Sequence, residues 1–307
     1  MKSIMISGIS GFVGGHLKEY LREQFNIVGL SRNDNEHYIT YNEITSNSFN
    51  EVEVFIHLAG KAHDLRKGIS DEEYYNANTE LTIKLFNQFL ESDCNVFVFL
   101  SSVKAVADKV DSILTEEIIP RPITVYGKSK LKAEQYILSK KIPKNKKVYI
   151  LRPCMIHGPN NKGNLNLLYK IVKYNIPFPL GKFKNKRSFL SVENLCFVID
   201  ALIRKKPDSG IYNVADDEPI STNQLVKIIG KAANKRVFIL NIPKIIINIM
   251  AFLGDKIGIV LNTENLDKLT ENYCVSNDKI KKAIKENLPL NSFDGLNITI
   301  MSFKKNV

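Results

Sequence analysis

The sequence predicts an α/β fold: a doubly wound parallel sheet followed by a smaller C-terminal lobe. Three observations carry this. Apolar runs of strand length alternate with amphipathic helical stretches through the first half of the chain. Asn95 to Leu100 (NVFVFL) is almost continuously apolar, as a strand buried on both faces of a parallel sheet must be. A glycine-punctuated turn separates the first strand from the first helix.

The elements follow in order. Ser3 to Ser7 is a short β-rich run, and after the turn a helix extends through about Gln24. Asn26 to Ser31 is a second strand and Glu53 to Leu58 another. Thr79 to Glu91 spaces Leu81, Leu85, Phe86 and Phe89 as one helix face does. Beyond strand 95–100, Tyr126 to Lys140 is helical, and Lys147 to Leu151 is a strand ending at Arg152-Pro153. Past Pro159 the rhythm changes. Loops rich in Asn, Gly, Pro and Lys alternate with helices at Asn166 to Tyr174 and Thr222 to Ala233, and Gly210 to Val214 is one more strand. The expected division is a first domain over 1–157, rejoined by 189–214, and a second lobe from 158–188 and 215–307. The longest apolar run, Ile245 to Gly254, is far short of the ~20 residues that span a bilayer. It is expected to be a buried or docking helix, and no transmembrane segment is expected.

The 307 residues carry 43 Lys+Arg and 32 Asp+Glu, a net +11, with 44% hydrophobic and 24% charged residues. This is globular composition and excludes a disordered chain. The basic residues come in small groups, such as Lys140-Lys141, Lys182 to Arg187 and Lys279 to Lys282, without a long arm or interleaved aromatics. No nucleic-acid partner is expected; what remains is attraction for phosphorylated small molecules or an anionic membrane surface. Cys94, Cys154, Cys196 and Cys274 form no C-x-x-C pair and are read as reduced, mostly buried thiols. The N-terminal apolar run breaks at Gly8, Ser10 and Gly11, unlike a signal peptide, so a cytoplasmic location is expected. No H-E-x-x-H or comparable spacing suggests a metal. His57 is expected to be a packed structural histidine, His63 beside Asp64 a surface loop residue, and Asp216-Asp217-Glu218 a loop before a helix.

Gly8, Gly11 and Gly14 make G-x-x-G-x-x-G directly after the first strand and into the first helix, around Phe12 and Val13. The chain must turn sharply there, its backbone must approach a pyrophosphate, and the helix N-terminus must aim free N–H groups at the charge. A dinucleotide site on a Rossmann fold follows. The second strand ends Gly29-Leu30-Ser31-Arg32, with no acid until Asp34. A carboxylate there would bind the adenosine ribose hydroxyls, whereas Ser31 and Arg32 suit a 2′-phosphate. NADP(H) is therefore favoured over NAD(H).

A Tyr followed by Lys four residues on presents both side chains on one helix face, and the ammonium favours the phenolate. The spacing occurs three times: Tyr126/Lys130, Tyr136/Lys140 and Tyr169/Lys173. Strand 95–100 runs into Ser101-Ser102 at the carboxyl edge of the sheet, where ligands of such folds bind, and Tyr126 opens the next helix. Ten residues of helix rotate Tyr136 by ~280° away from Tyr126, and Tyr169 lies outside the sheet. Tyr126 and Lys130 are the expected pair, a general acid/base beside a carbonyl or alcohol.

SGISGFVG at 7–14, HLAG at 57–60, Asn78-Thr79, FLSS at 99–102, YGKSK at 126–130 and LRP at 151–153 together resemble the extended short-chain dehydrogenase/reductase family. HGPNNKGN at 157–164, KRSFLSVENL at 186–195 and YNVADDEPIST at 212–222 are similar to its nucleotide-sugar branch, the bacterial 4-epimerases and 4-ketoreductases of surface-polysaccharide synthesis. The resemblance runs from residue 1 to about 240 and fades beyond. It implies that Tyr126 exchanges a proton with the sugar O4, that Lys130 holds the nicotinamide ribose and lowers the Tyr126 pKa, and that Ser102 bonds the reacting oxygen. Leu58, Ala59, Gly60 and Pro153 would line the cofactor channel and Asn78 would support the active-site strand end. Arg187 and Asn164 would meet the nucleotide diphosphate. Lys104 would meet substrate where many relatives carry a small hydroxyl residue, and His157 stands where a Tyr is common. The expected activity is NADPH-dependent reduction of a 4-keto nucleotide sugar, a UDP-4-keto-6-deoxy-hexosamine. A nucleotide-sugar 4-epimerase is the rival, and a silent dinucleotide-binding sensor the second alternative. Relatives pair through helices corresponding to 72–92 and 127–140, which implies a homodimer.

Overall fold

The computed structural model describes residues 2–32, 38–49, 51–61, 70–161, 165–257 and 262–305. In chain order the first half holds β1 (Ser3–Ser7), α1 (Phe12–Leu21), β2 (Asn26–Ser31), β3 (Tyr38–Thr40), β4 (Val52–His57), α2 (Asp71–Tyr75), α3 (Leu81–Glu91), β5 (Val96–Leu100), β6 (Ile113–Leu114), α4 (Val125–Ser139) and β7 (Lys147–Pro153). Then come β8 (Met155–His157), α5 (Leu165–Lys173), β9 (Phe189–Ser191), α6 (Val192–Lys205), β10 (Gly210–Val214) and α7 (Thr222–Ala233). The chain finishes with α8 (Lys244–Ile257), α9 (Thr263–Thr270), β11 (Cys274–Val275), α10 (Asp278–Ile284) and α11 (Ser292–Lys305).

Seven strands form one sheet in the order β10-β7-β5-β4-β1-β2-β3, every pairing parallel. This is the doubly wound α/β fold the alternation predicts. The side-chain period of two builds both of its faces. Ile4, Ile6, Val54, Ile56, Val96 and Val98 pack with Leu17 and Leu21 of α1 and Leu195, Val198 and Leu202 of α6. Their alternates Met5, Phe55, Phe97 and Phe99 pack on the other side with Leu85, Phe86 and Phe89 of α3 and Ala133 and Ile137 of α4. Strand order reverses between β1 and β4, so the carboxyl ends of those strands open a crevice there.

A second core joins α5, α7, α8, α9 and α11 through Leu168, Val172, Leu225, Ile229, Ile247, Ala251, Leu266 and Ile300. It sits beside two short parallel ladders, β8–β9 and β11–β6.

Three details differ from the reading of the sequence. Helix α1 ends at Leu21 rather than near Gln24, because Gln24 and Phe25 donate to the Leu21 carbonyl in a turn that feeds β2. The edge strand β3, three half-buried residues long, is an addition. Asn76 to Glu80 forms a π turn ahead of α3. Helix α8 buries only a narrow side of itself, and most of its large apolar residues face outward.

Candidate active site

The glycine turn sits at the carboxyl end of β1. Gly8 holds φ +71°, and a Cβ there would lie 2.8 Å from the Ala59 nitrogen. A Cβ on Gly14 would lie 2.3 Å from the Gly8 carbonyl oxygen. Both places leave backbone bare by steric necessity. Gly11 caps α1 without a side-chain bond, so the first N–H groups, around Phe12 and Val13, are left for an anion. The residues therefore fit a bound dinucleotide.

The end of β2 lies beside this turn. Ser31 is half-buried and Arg32 exposed. The Tyr41 hydroxyl accepts the Gly8 N–H at 3.0 Å and donates to the Leu30 carbonyl at 3.4 Å, and the Arg32 charge acts on that phenol. Tyr41 thus joins Ser31 and Arg32, a neighbour that the sequence motifs do not reveal. Asp34, Asn164, His63 and Asp64 lie outside the described residues.

Past β4 the backbone is pinned from below. His57 is fully buried, its ring hydrogen-bonded to Ser7 at 2.6 Å and Thr82 at 2.9 Å. Burial, with the Lys130 charge acting the same way, drives its pKa down to about 3, so the ring is neutral. The Ala59 N–H donates to Ser7 Oγ, and Leu58 and Ala59 follow the strand into the crevice. Asn78, within the π turn, accepts from the Lys61 N–H at 2.7 Å and donates to the Lys61 carbonyl and to Ser129 Oγ, both at 3.0 Å. It ties the loop after β4 to α4. Any side chain on Gly60 would strike Asn78 Oδ1 at 2.7 Å and Lys130 Nζ at 3.0 Å.

Ser102 lies just past β5 and Tyr126 in the first turn of α4, and the two side chains are hydrogen-bonded. Asp108 sets that helix start: its carboxylate accepts the Ile123 and Thr124 N–H groups and the Thr124 hydroxyl, while Thr124 caps α4. The Tyr126 ring meets Tyr74 edge-on, with centroids 6.5 Å apart. Burial raises the Tyr126 pKa, the Ser102 bond lowers it in part, and Tyr74 raises it.

Lys130 shares the helix face but is 4% exposed, donates from Nζ to the Leu100 carbonyl at 2.9 Å, and lies 4.9 Å from the Phe99 ring centre. Burial pulls its pKa down to about 8 against the pull of Glu134. The expected lowering of the Tyr126 pKa by Lys130 is corrected here: the ammonium is engaged by a carbonyl, and burial of the phenol dominates.

One turn beyond Lys130, Glu134 is 1% exposed and accepts from Arg152 Nε at 3.0 Å and Nη2 at 2.5 Å, and from the Ser101 hydroxyl. This buried pair locks α4 to β5 and β7 directly behind the Ser102–Tyr126 pair. Its available signal was the run Tyr126, Lys130, Glu134 at successive helical turns. Pro153, also buried, ends β7.

Two cations flank the crevice from the second lobe's side. Lys104 donates to the Asp108 carbonyl at 2.6 Å and lies 4.5 Å from the Tyr273 ring centre. Arg187 donates to the Lys268 carbonyl and bridges to Ile220 and Tyr273. Desolvation lowers both pKa values. His157 is packed away, bonded to Thr299 at 2.8 Å. Asp216 is structural: it accepts the Ser191 N–H and the Asn194 amide. A separate cavity of about 230 Å³ is lined by His16, Tyr20, Pro159, Cys196 and Thr299, and by none of Ser102, Tyr126 or Lys130. Among the described residues no group of His, Cys, Asp and Glu could hold a metal.

Comparison with known proteins identifies the family and the fold. Residues 4–215 match the model of the NAD dependent epimerase/dehydratase family. The UDP-glucose 4-epimerase of Vibrio cholerae is 27% identical over 98% of this chain and 95% of its own length. The dTDP-4-dehydro-6-deoxyglucose reductase of Escherichia coli is 24% identical over 87% of this chain and 96% of its own. The solved structure of RMD from Pseudomonas aeruginosa complexed with NADPH superposes with a TM-score of 0.74 at 19% identity, covering 100% of both chains. The chain belongs to the NAD dependent epimerase/dehydratase family and is an NAD(P)-dependent enzyme of the extended short-chain dehydrogenase/reductase type, as its motifs imply.

Proposed function

With that membership as the premise, we propose that the enzyme uses NADPH to reduce the 4-keto group of a nucleotide sugar, a UDP-4-keto-6-deoxy-hexosamine destined for surface polysaccharide. The observation that carries this is the end of β2, where half-buried Ser31 and exposed Arg32 suit the 2′-phosphate of NADPH, the cofactor a reductase consumes.

When bound, the cofactor supplies a hydride from the nicotinamide ring. Tyr126 donates its proton to the sugar O4, and Ser102 holds that oxygen in line. Lys130 holds the nicotinamide ribose, and Leu58, Ala59, Gly60, Asn78 and Pro153 shape its channel. Ser31 and Arg32 take the 2′-phosphate, an arrangement supported by the lack of a carboxylate among the described residues at the end of β2. Arg187 meets the diphosphate, a task that a planar, permanently charged fork suits, and Lys104 meets the substrate. The enzyme works in the cytoplasm as a homodimer paired through 72–92 and 127–140.

The test is to mix the purified enzyme with NADPH and a UDP-4-keto-6-deoxy-N-acetylhexosamine and follow the loss of NADPH absorbance. Stoichiometric consumption is expected. A second reading, nucleotide-sugar 4-epimerisation on retained NAD, is favoured by the name of the Vibrio cholerae relative. Interconversion of UDP-hexoses without NADPH consumption would establish it instead.

A further inference from the structure

Helix α8 has its hydrophobicity on the wrong side for a globular protein. Ile247, Ala251 and Gly254 face the second core. The outward positions are Ile245 (69% exposed), Ile246 (46%), Ile249 (55%), Met250 (44%), Phe252 (57%) and Leu253 (49%). At about 100° per residue these six sweep an arc of roughly 160°. A surface helix ordinarily carries polar residues there. The apolar exposure continues in the segment leading into the helix, where Phe238 and Leu240 are exposed. That segment is hydrogen-bonded to Phe178 and Gly181, just past exposed Tyr174 and Ile176.

The charge on these segments is predominantly positive, with exposed Glu264 and Asp267 on the adjoining α9. Lys182, Lys184, Lys235, Arg236, Lys244 and Lys256 are exposed across these segments. Within 235–256 the single acid is Asp255, and the Thr263 N–H and hydroxyl engage it. Lys244 and Lys256 stand at the two ends of the helix, Lys244 Nζ 5.3 Å from the Phe183 ring centre and Lys256 Nζ 5.1 Å from that of Phe252, so both cations border the apolar side chains. A second copy of this chain is a poor occupant, because a two-fold contact would set these cations against their own images. No described helix is long and apolar enough to cross a bilayer.

We propose that this face docks the second lobe on the surface of an anionic bilayer, with α8 lying in the headgroup layer and its basic rim on lipid phosphates. An apolar strip bordered by lysines is what such an interfacial helix requires. This inference does not depend on which sugar the site takes.

The full-length enzyme with NADPH is floated with vesicles of phosphatidylcholine alone, and of phosphatidylcholine with about one third phosphatidylglycerol. Binding to the anionic vesicles is expected, weakened at high salt, with little on the neutral ones. Ile249→Glu with Leu253→Glu, and separately Lys244→Glu with Lys256→Glu, should each cut binding by about tenfold or more while leaving NADPH affinity and turnover unchanged. The charge-reversal pair leaves the apolar strip intact, so it answers even where the first pair impairs folding. Absence of flotation, equal binding to neutral vesicles, or undiminished binding by both variants would overturn the proposal. So would self-association that the Ile249→Glu, Leu253→Glu variant abolishes without any vesicle binding.

Discussion

The carboxyl edge of the central sheet and the C-terminal lobe are organised for opposite demands. Around Tyr126, polar groups are buried and tied together: Asn78 to Lys61 and Ser129, Lys130 to Leu100, Glu134 to Arg152 and Ser101. Each bond removes a degree of freedom at a site that, on the proposed mechanism, must meet a reacting atom within tenths of an ångström. The C-terminal lobe has a two-residue strand, isolated bridges and a helix whose large side chains face out. Position is fixed where the proposed proton transfer takes place, and apolar surface is left open where the docking on a bilayer is proposed.

The sharpest way to break this contrast is at Tyr126. Tyr126→Phe should lower kcat by about 10³-fold, within the range for loss of a general acid, with NADPH affinity unchanged in a titration of cofactor fluorescence. Retained turnover would remove Tyr126 from the chemistry. Next comes the locked pair. Glu134→Gln leaves the Arg152 charge buried and should cost about 3–5 kcal/mol in urea unfolding. Lys268→Ala, which removes the half-buried partner of exposed Glu264 in the second lobe, should cost under about 0.5 kcal/mol. Similar losses would mean that the two regions do not differ as described.

His57 gives a smaller, pH-dependent effect. Its folded pKa of about 3 lies below the free imidazole value of about 6.5. The unfolded chain therefore binds the proton first, so the stability from the neutral ring is complete above pH ~6.5 and is lost as pH falls toward 3. His57→Gln should flatten the unfolding free energy across that window by up to ~1.4 kcal/mol per pH unit. The smallest effect belongs to the exposed Arg32: Arg32→Ala should reduce the preference for NADPH over NADH by about tenfold in kcat/KM.

Much of this was legible in the sequence. The bounds of β1, β2, β10 and α7 follow from local signals; α7, for instance, is fixed by Ser221 and Gln224 in a capping box and by left-handed Asn234. The glycine turn and the Tyr126–Lys130 spacing are local too, and the structure brings Ser102 to Tyr126 across 24 residues as the sheet-edge argument requires. What stayed hidden depends on partners far along the chain. Arg152 finds Glu134 only once β7 lies under α4, and Tyr41 reaches Gly8 only because β3 adds to the sheet. The sequence marks α8 as an apolar helix, but only the packing of Ile247 and Ala251 decides that the rest faces out.

Strand β10 carries a consequence for how the molecule is made. It pairs with β7 from Gly210↔Tyr149 to Val214↔Pro153, yet the ribosome delivers it 57 residues after Pro153. Until then β7 presents an unsatisfied, greasy border to the cell. Any gene fragment that stops between those two segments should yield insoluble protein, whereas one that runs through β10 can close its sheet.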